Sequence, residues 1–142
     1  LNSLIEIMKN ETINGQKAID NPVYKDKLMK IQGKVIAFQS NSLRVLSAKL
    51  NKNQDTKIAA MIQKLNGTEL RHELEGFAID VMGELGTLYE NSPNIRDGGS
   101  WQVASMYFLG LIIGGGTSQI QKNIISERGL GMPREPKVQK GE

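Results

Sequence analysis

The stretch NPVYKDKLMKIQGKVIAFQSNSLRVL, residues Asn21–Leu46, decides the fold class. Asn21 is a good N-cap, and Pro22 stands at the first helical position, where its missing N–H costs nothing. From there side chains of one face recur at alternating steps of three and four: Leu28, Ile31, Val35, Phe38, Ser42 and Val45. That spacing is the seam of a long bundle helix, and it predicts a helix that runs to about Leu50. Gly33 places a small residue within this helix, which would allow a close helix crossing.

Helical spacing also dominates on both sides of this segment, and no run of period-2 alternation predicts a strand. The first helix covers Leu1–Ile13 and ends at Asn14-Gly15, a turn or helix-stop pair. The third begins after a polar turn with Asp55 as its cap and ends in MGELG, Met82–Gly86. Its apolar face rotates along its length, which predicts packing on more than one side. The segment Glu90–Ser100 is the most loop-like part of the chain.

Two helices complete the chain. The fourth, Trp101–Ile113, is apolar nearly all round, which predicts that it is well buried. The fifth follows three glycines, and Ser118 with Gln121 matches the capping box, in which hydroxyl and amide satisfy each other's orphan N–H groups. Gly129 stops it, and two prolines keep the tail, residues 132–142, extended.

These elements predict an all-α domain over residues 1–142. We expect an antiparallel, up-down-up-down bundle of long helices with a short C-terminal helix across one end. The sequence begins with Leu rather than Met, in what reads as the middle of a helix. We therefore expect the chain to start inside a larger protein.

Composition argues against several function classes. The absence of cysteine excludes disulfides and thiolate metal sites and suits a reducing compartment, so we expect a cytoplasmic protein. The formal charge of +3, with scattered Lys and Arg, does not predict a nucleic-acid site. No apolar run approaches the roughly 20 residues that span a bilayer, and Leu1–Met8 lacks the basic start of a signal peptide. We expect neither nucleic acid nor membrane as a partner.

The junction between Gly114–Gly116 and the fifth helix is the strongest site signal. Helix N-termini expose unsatisfied N–H groups, and glycine removes the Cβ that would hold a phosphate away. No Gly-Lys-Ser/Thr follows, which excludes a Walker loop, and no strand precedes the glycines, which excludes a dinucleotide fingerprint. Contact with an anionic cofactor and a plain interhelix turn both stay open, and the turn is the simpler interpretation.

No self-sufficient catalytic constellation is visible. His72 is the only histidine, and its pairing with Glu69 falls short of a metal site, so we expect no metal. Without cysteine, and with one histidine, no Ser/His/Asp or Cys/His arrangement is complete. The acidic side chains of the third helix and the turn after it are interpreted as a charged face: Glu69, Glu73, Glu75, Asp80 and Glu84.

The stretch GGGTSQIQKNIISERGLGMPREPK resembles the C-terminal signature of acyl-CoA dehydrogenases, flavoenzymes that introduce an α,β double bond into acyl-CoA thioesters. The family pattern G-T-S-(E/Q)-I-Q-(R/K)-N-I-I-(A/S)-E-R, followed by L-G-(L/M)-P-R-E-P, is matched nearly position for position. Upstream, GQKAIDNPVYKDKL is similar to the segment that enters the next bundle helix, and MGELG stands where relatives carry a glycine-rich turn. The resemblance covers most of the chain and is strongest at its C-terminal end.

The resemblance implies a helical bundle that forms the C-terminal third of a larger subunit. The family's N-terminal helical domain and central β-domain are not in these residues. It implies FAD as cofactor, with Gly116, Thr117 and Gln119 lining the flavin nucleotide. Gly83 and Gly86 would approach FAD from across a subunit interface.

The resemblance also implies a reaction and partners. In the family a carboxylate removes the α-proton of the acyl-CoA substrate while the β-hydrogen leaves as hydride to the flavin. It implies assembly of the subunits as a dimer or tetramer, homomeric or heteromeric. It implies electron-transfer flavoprotein as the electron acceptor.

The chain departs from the family pattern at three places. Many relatives carry the catalytic glutamate in Y-E-G-T, and the matching position is Gly115, so no catalytic residue is assigned here. Relatives have an arginine in the helix before the signature, where Ser105–Ile113 carries no charge. They often have an R-x-x-F-G element near the end of the first helix, where Glu11–Gly15 has neither Arg nor Phe. Some branches carry the base on an earlier bundle helix, which would place it before Leu1.

The leading interpretation is the FAD-contacting, oligomerising domain of an FAD-dependent acyl-CoA dehydrogenase whose base lies elsewhere; the segment alone would be inactive. The first alternative is a non-catalytic homologue that pairs with an active subunit, which the missing base and arginines favour. The second is a DNA-binding relative of the alkylation response, against which the weak basicity counts.

Overall fold

The computed structural model describes residues 1–51, 56–134 and 136. In this part of the chain the helices are α1 Asn2–Asn10, α2 Pro22–Asn51, α3 Lys57–Met82, α4 Ser100–Ile113 and α5 Ser118–Ile124. Two short strands, β1 Thr12–Ile13 and β2 Gln16–Lys17, pair antiparallel between α1 and α2. The predicted all-α class is confirmed, and the up-down order of the helices stays a prediction.

The first helix is shorter than the sequence predicted. It ends at Asn10 rather than Ile13, because the chain turns back on itself in the β1–β2 hairpin. Asn14 and Gly15 have φ angles of 51° and 80°, the left-handed pair typical of a type I′ hairpin turn. The turn at Asn14-Gly15 is therefore confirmed. The two strands are too short to leave an alternating pattern in the sequence.

The start of α2 is confirmed in detail. The Asn21 side-chain oxygen accepts hydrogen bonds from the backbone N–H groups of Val23, at 3.0 Å, and Tyr24, at 3.4 Å. Pro22 is the first helical residue, and the helix ends at Asn51, one residue beyond the predicted end. The predicted cap of α3, Asp55, lies outside the described residues.

Helix α3 is the centre of the core. It contacts α1, α2, α4 and α5, so the prediction that it packs on more than one side is confirmed. The Phe77 ring stacks on Tyr24 of α2 with ring centroids 5.8 Å apart. The buried core joins side chains of four helices: Leu4 and Met8 of α1, Leu28 and Ile31 of α2, Leu74, Phe77, Ala78 and Val81 of α3, and Trp101 of α4. This packing fixes the start of α4 on the core.

The prediction that α4 is well buried is wrong for this chain. Only Trp101 and Gln102 are buried, whereas Met106, Tyr107 and Ile113 are 57%, 63% and 64% exposed. The helix lies with one face on α3, and its other apolar face has no cover in the described part of the chain. Apolar residues on all sides are typical of a helix that packs against neighbours on two faces. In the described part of the chain only the face toward α3 is packed. No single described helix is long and apolar enough to cross a bilayer.

The C-terminal end follows the prediction as far as it is described. After α5 the chain makes a π-helical turn that ends at Gly129, the predicted stop. Residues 131–134 have no regular structure. The remainder of the predicted tail, apart from Pro136, lies outside the described residues.

Candidate functional site

The candidate site is the glycine loop, Gly114–Gly116, between α4 and α5. The Gly114 N–H closes the last turn of α4 by donating to the Gly110 carbonyl oxygen at 2.8 Å. Gly115 and Gly116 then have φ angles of 69° and 100°. Residues with a Cβ rarely adopt such φ angles, so the conformation of the loop favours glycine at both positions. The glycine loop is therefore a turn between two helices, and this geometry also permits contact with a ligand.

Thr117, and not Ser118, caps α5. The Thr117 hydroxyl oxygen accepts a hydrogen bond from the Ile120 N–H at 3.3 Å. The predicted capping box is therefore wrong by one residue. Thr117 has the extended backbone of an N-cap, with φ −58° and ψ 165°, and Ser118 is already helical. The Gln121 side-chain amide, predicted to complete the box, instead donates to the Gly115 carbonyl oxygen at 2.7 Å.

A lysine from α3 binds carbonyl oxygens at both ends of the glycine loop. Lys64 Nζ lies 2.6 Å from the Gly116 carbonyl oxygen and 3.3 Å from that of Ile112. Ile112 is in the last turn of α4, whose carbonyl groups have no partner inside the helix. A cation beside them also interacts favourably with the helix dipole. Lys64 carried no signal in the sequence, because its spacing in α3 does not reveal which loop it meets.

The second predicted cofactor element is MGELG, at the end of α3. Gly83 ends the helix with φ 56° and ψ −127°, the backbone of the first central residue of a type II′ turn. Gly86 is buried in the 3₁₀ turn that follows. The Gln102 side-chain amide donates to the Leu85 carbonyl oxygen at 3.4 Å and so ties this turn to α4.

The structure groups the predicted site residues into two sets. Gly116, Thr117 and Gln119 lie together at the glycine loop, and Gly83 and Gly86 lie together at the end of α3. The loop meets α3 at Lys64, and at about 1.5 Å per residue the helix places Gly83 roughly 28 Å farther on. One chain therefore does not bring the two sets together.

One carboxylate of α3 does not belong to the predicted charged face. Glu75 is 1% exposed and accepts a hydrogen bond from Arg71, one turn earlier. The Arg71 guanidinium lies 5.0 Å from the centroid of the Phe108 ring. An open cavity of about 590 Å³ between α1, α3 and α4 is lined by Arg71, Glu75 and Trp101 among others. The interpretation as a charged face holds for the exposed acids Glu69, Glu73, Asp80 and Glu84 and is wrong for Glu75.

The described titratable side chains include a partly buried histidine and an arginine with a shifted pKa. His72 is partly buried, and its Nδ1 has no hydrogen-bond partner among the described residues. No group of three or more His, Asp or Glu side chains in the described ranges could hold a metal ion. The hydrogen bond that Arg96 donates to Glu11, with the attraction between their charges, raises the pKa of Arg96 above its ordinary value. Arginine stays protonated at physiological pH, so this shift adds no proton transfer.

The outward face of α2 carries an apolar stripe that was not predicted. Met29, Ile36, Leu43 and Leu50 follow one another at intervals of seven and are 51%, 55%, 66% and 74% exposed. Gly33 lies on the same face, and nothing is within 4 Å of the position that a Cβ would take. The close crossing that Gly33 allows is therefore not made inside the described chain. Apolar residues at heptad spacing are the pattern by which one helix packs on another.

Comparisons with known proteins agree with one another. A family model described as acyl-CoA dehydrogenase, C-terminal domain, matches residues 1–130. The chain is 32% identical over 120 residues to acyl-CoA dehydrogenase IpdE1 of Mycolicibacterium smegmatis, covering 84% of this chain and 28% of that protein. It is 37% identical over 75 residues to acyl-CoA dehydrogenase FadE26 of Mycobacterium tuberculosis, covering 53% of this chain and 19% of that protein. The chain thus spans less than a third of the length of either relative.

Solved structures also match almost the whole of this chain. The ChsE4-ChsE5 complex from Mycobacterium tuberculosis matches with a TM-score of 0.79 and 27% identity, over 94% of this chain and 35% of that one. The Tcur3481-Tcur3483 steroid ACAD matches with a TM-score of 0.78 and 21% identity, over 94% of this chain and 33% of that one. At that identity the second likeness shows the fold alone. Each of these two structures is named after two different proteins.

Proposed function

Since the chain belongs to the acyl-CoA dehydrogenase C-terminal domain family, we propose that it is the FAD-contacting and oligomerising domain of a flavin-dependent acyl-CoA dehydrogenase. The carrying observation is that the family match spans residues 1–130, a range that includes the whole glycine loop. The proposed reaction is α,β-dehydrogenation of an acyl-CoA thioester. FAD, when bound, accepts the hydride that leaves the β-carbon.

The glycine loop has groups that suit the phosphates of FAD. The N–H group of Thr117 donates no hydrogen bond to another described residue. Nothing lies within 4 Å of the position that a Cβ on Gly115 would take. Free backbone N–H groups in a loop without obstructing side chains form anion-binding concavities. In the proposal the Thr117 hydroxyl and the exposed Gln119 amide add two side-chain donors.

The separation of the two glycine sets supports a role for subunit assembly. With roughly 28 Å of α3 between them, the glycine loop and MGELG reach different parts of the ligand or different ligands. We assign the loop to one FAD and Gly83 with Gly86 to the FAD of a neighbouring subunit. The exposed α2 stripe and the uncovered face of α4 supply apolar area for such assembly.

The base that removes the α-proton is not in the glycine loop. Gly115 stands where the family pattern has glutamate, and glycine has no proton-accepting side chain. In the leading proposal the base lies outside this chain. In the second candidate function the subunit is non-catalytic and pairs with an active one, and Gly115 is the observation that favours it. The two structural relatives named after two proteins fit a heteromeric assembly.

Purification of the intact subunit that contains this domain tests the proposal. We expect it to carry FAD, visible as the yellow absorbance of oxidised flavin, and to reduce an artificial electron acceptor when an acyl-CoA is added. Gly115→Glu should not be required for that activity. A subunit that binds FAD yet is active only after Gly115→Glu supports the non-catalytic alternative. A subunit that takes up no FAD, alone or with co-purifying partners, overturns both.

The isolated segment gives a second test. Because the proposal divides the FAD contacts among domains and subunits, residues 1–142 alone should bind FAD weakly. Isothermal titration of the segment with FAD measures this directly. Tight binding by the segment would contradict the division of the site.

A further inference from the structure

We propose that Lys64 is a positioning residue whose ammonium group sets the direction of the Gly116–Thr117 peptide, so that the Thr117 N–H is held toward the bound FAD. This inference rests on the proposed function. It assigns a role to a side chain outside the glycine loop and outside the family signature. Lys64 acts on the ligand only through the backbone that it holds.

Lys64 joins three parts of the site. It lies in α3, whose buried face forms the core, and its Nζ reaches the carbonyl oxygens of both Ile112 and Gly116. The Ile112 carbonyl lies in the last turn of α4, and the Gly116 carbonyl lies two residues before the start of α5. The ammonium group therefore bridges the glycine loop from its entry to its exit.

The loop needs such a restraint because of its composition. Glycine has more backbone freedom than any other residue, and three of them stand in succession here. Two side chains from different helices restrain it: Gln121 of α5 donates to the Gly115 carbonyl at 2.7 Å, and Lys64 donates to the Gly116 carbonyl at 2.6 Å. Two successive peptide groups are thus fixed by their oxygens.

Fixing the oxygens also fixes the N–H groups. No described peptide bond is cis, and in a trans peptide the C=O and N–H point in opposite directions. The Gly116 N–H therefore points away from Gln121, and the Thr117 N–H points away from Lys64 and from α3. The Thr117 N–H donates no hydrogen bond to a described residue. Lys64 therefore turns this free donor away from α3.

The positive charge of Lys64 also affects the Gly116–Thr117 peptide. A hydrogen bond from a cation to a carbonyl oxygen polarises the peptide and strengthens the donor at its other end. Helix α4 contributes no charge of its own, since residues 100–113 contain no Lys, Arg, Asp or Glu. The ammonium group of Lys64 thus strengthens the Thr117 N–H as a hydrogen-bond donor to an anionic ligand.

The test uses the intact subunit and three variants. Lys64→Met removes the ammonium group, and we expect the Kd for FAD to rise about tenfold, as for loss of one charge-assisted hydrogen bond. The visible flavin spectrum should shift toward that of free FAD. Lys64→Arg keeps the cation and should recover most of the affinity. Lys34→Met is the matched control, because Lys34 also bridges two helices at 2.6 Å, to Glu73, but does not contact the loop; its Kd should be unchanged.

Stability is measured beside affinity. Lys64→Met also removes a helix-end contact, so the unfolding of the FAD-free protein is followed in parallel. A loss of stability with an unchanged Kd overturns the inference, because it shows a structural role only. If Lys64→Met does not fold, Lys64→Gln removes the charge but keeps a polar side chain and should raise the Kd several-fold, and an unchanged Kd there overturns the inference too. A wild-type subunit that binds no FAD overturns the proposed function, and this inference with it.

Discussion

Gly86 packs directly on the backbone of Ile79: a Cβ on Gly86 would lie 2.6 Å from the Ile79 carbonyl oxygen and 2.9 Å from its Cγ2. The contact closes the 3₁₀ turn back onto the last full turn of α3. Gly86 is buried, and the atom it meets belongs to a helix backbone that is itself held by the core. Glycine is therefore required at this position by packing.

Gly86→Ala should lower the free energy of unfolding by about 2 kcal/mol, because the added methyl group meets backbone that does not rotate away. Gly76→Ala is the matched control within α3, since nothing lies within 4 Å of its Cβ position. It should be neutral or stabilise the chain by up to about 1 kcal/mol, because alanine favours the helix. Urea denaturation followed by circular dichroism measures both. Equal stability of the two variants would contradict the contact.

Thr117→Ala should destabilise the chain by about 1 kcal/mol through loss of the α5 N-cap. Ser118→Ala should cost no more than about 0.5 kcal/mol, because Ser118 lies inside the first turn, beyond the cap. Thermal unfolding of the two variants under the same conditions separates the assignments. A larger cost at Ser118 than at Thr117 would restore the capping box that the sequence predicted.

Arg71→Leu should lower the free energy of unfolding by about 2 kcal/mol, because it leaves the buried Glu75 carboxylate without its partner. The double variant Arg71→Leu with Glu75→Leu should recover part of this loss. Lys30→Leu is the matched control: it breaks a pair with Asp26 at the same i,i+4 spacing, but both side chains are exposed. Its effect should stay within about 0.5 kcal/mol. Denaturation curves that show equal losses at Arg71 and Lys30 would contradict a special role for the buried pair.

Ile36→Glu should reduce the assembly of the intact subunit, because it places a charge in the middle of the α2 stripe. Val23→Glu is the control on the same helix: Val23 is 62% exposed but lies off the stripe. Its carboxylate would stand near the helix N-terminus, where negative charge is favourable. Light scattering after size-exclusion chromatography gives the mass of each assembly. An Ile36→Glu subunit of unchanged mass would show that α2 is not a contact surface.

Several local signals in the sequence were interpreted correctly. Asn21 and Pro22 define the start of α2 through contacts within one turn, and the seam from Leu28 to Val45 gives its inward face. Asn14-Gly15 specifies its own turn through backbone preferences. The match of the family model over residues 1–130 confirms the family to which the C-terminal signature pointed.

Features that depend on distant parts of the chain were not predictable in this way. The cap at Thr117 is a local feature that was also missed, because Thr and Ser are both good N-caps and the sequence does not show which of them is the last residue before the helix. Glu75 looks like any other acid in α3, and only the packing of α1 and α4 around it decides its burial. For α4, composition indicates apolar faces but does not identify what covers them. The contact of Lys64 with Gly116 spans 52 positions of sequence.

The exposed apolar surfaces carry thioether sulfur. Met29 on the α2 stripe and Met106 on α4 are 51% and 57% exposed, and Met132 after α5 is 53% exposed. Peroxide converts such side chains to sulfoxides, which are polar and unsuited to an apolar contact. In an assembled protein the rate of sulfoxide formation at each methionine therefore reports which surface is covered. Oxidation at Met29 would in turn weaken a helix contact at that position, which makes any such contact sensitive to oxidative stress.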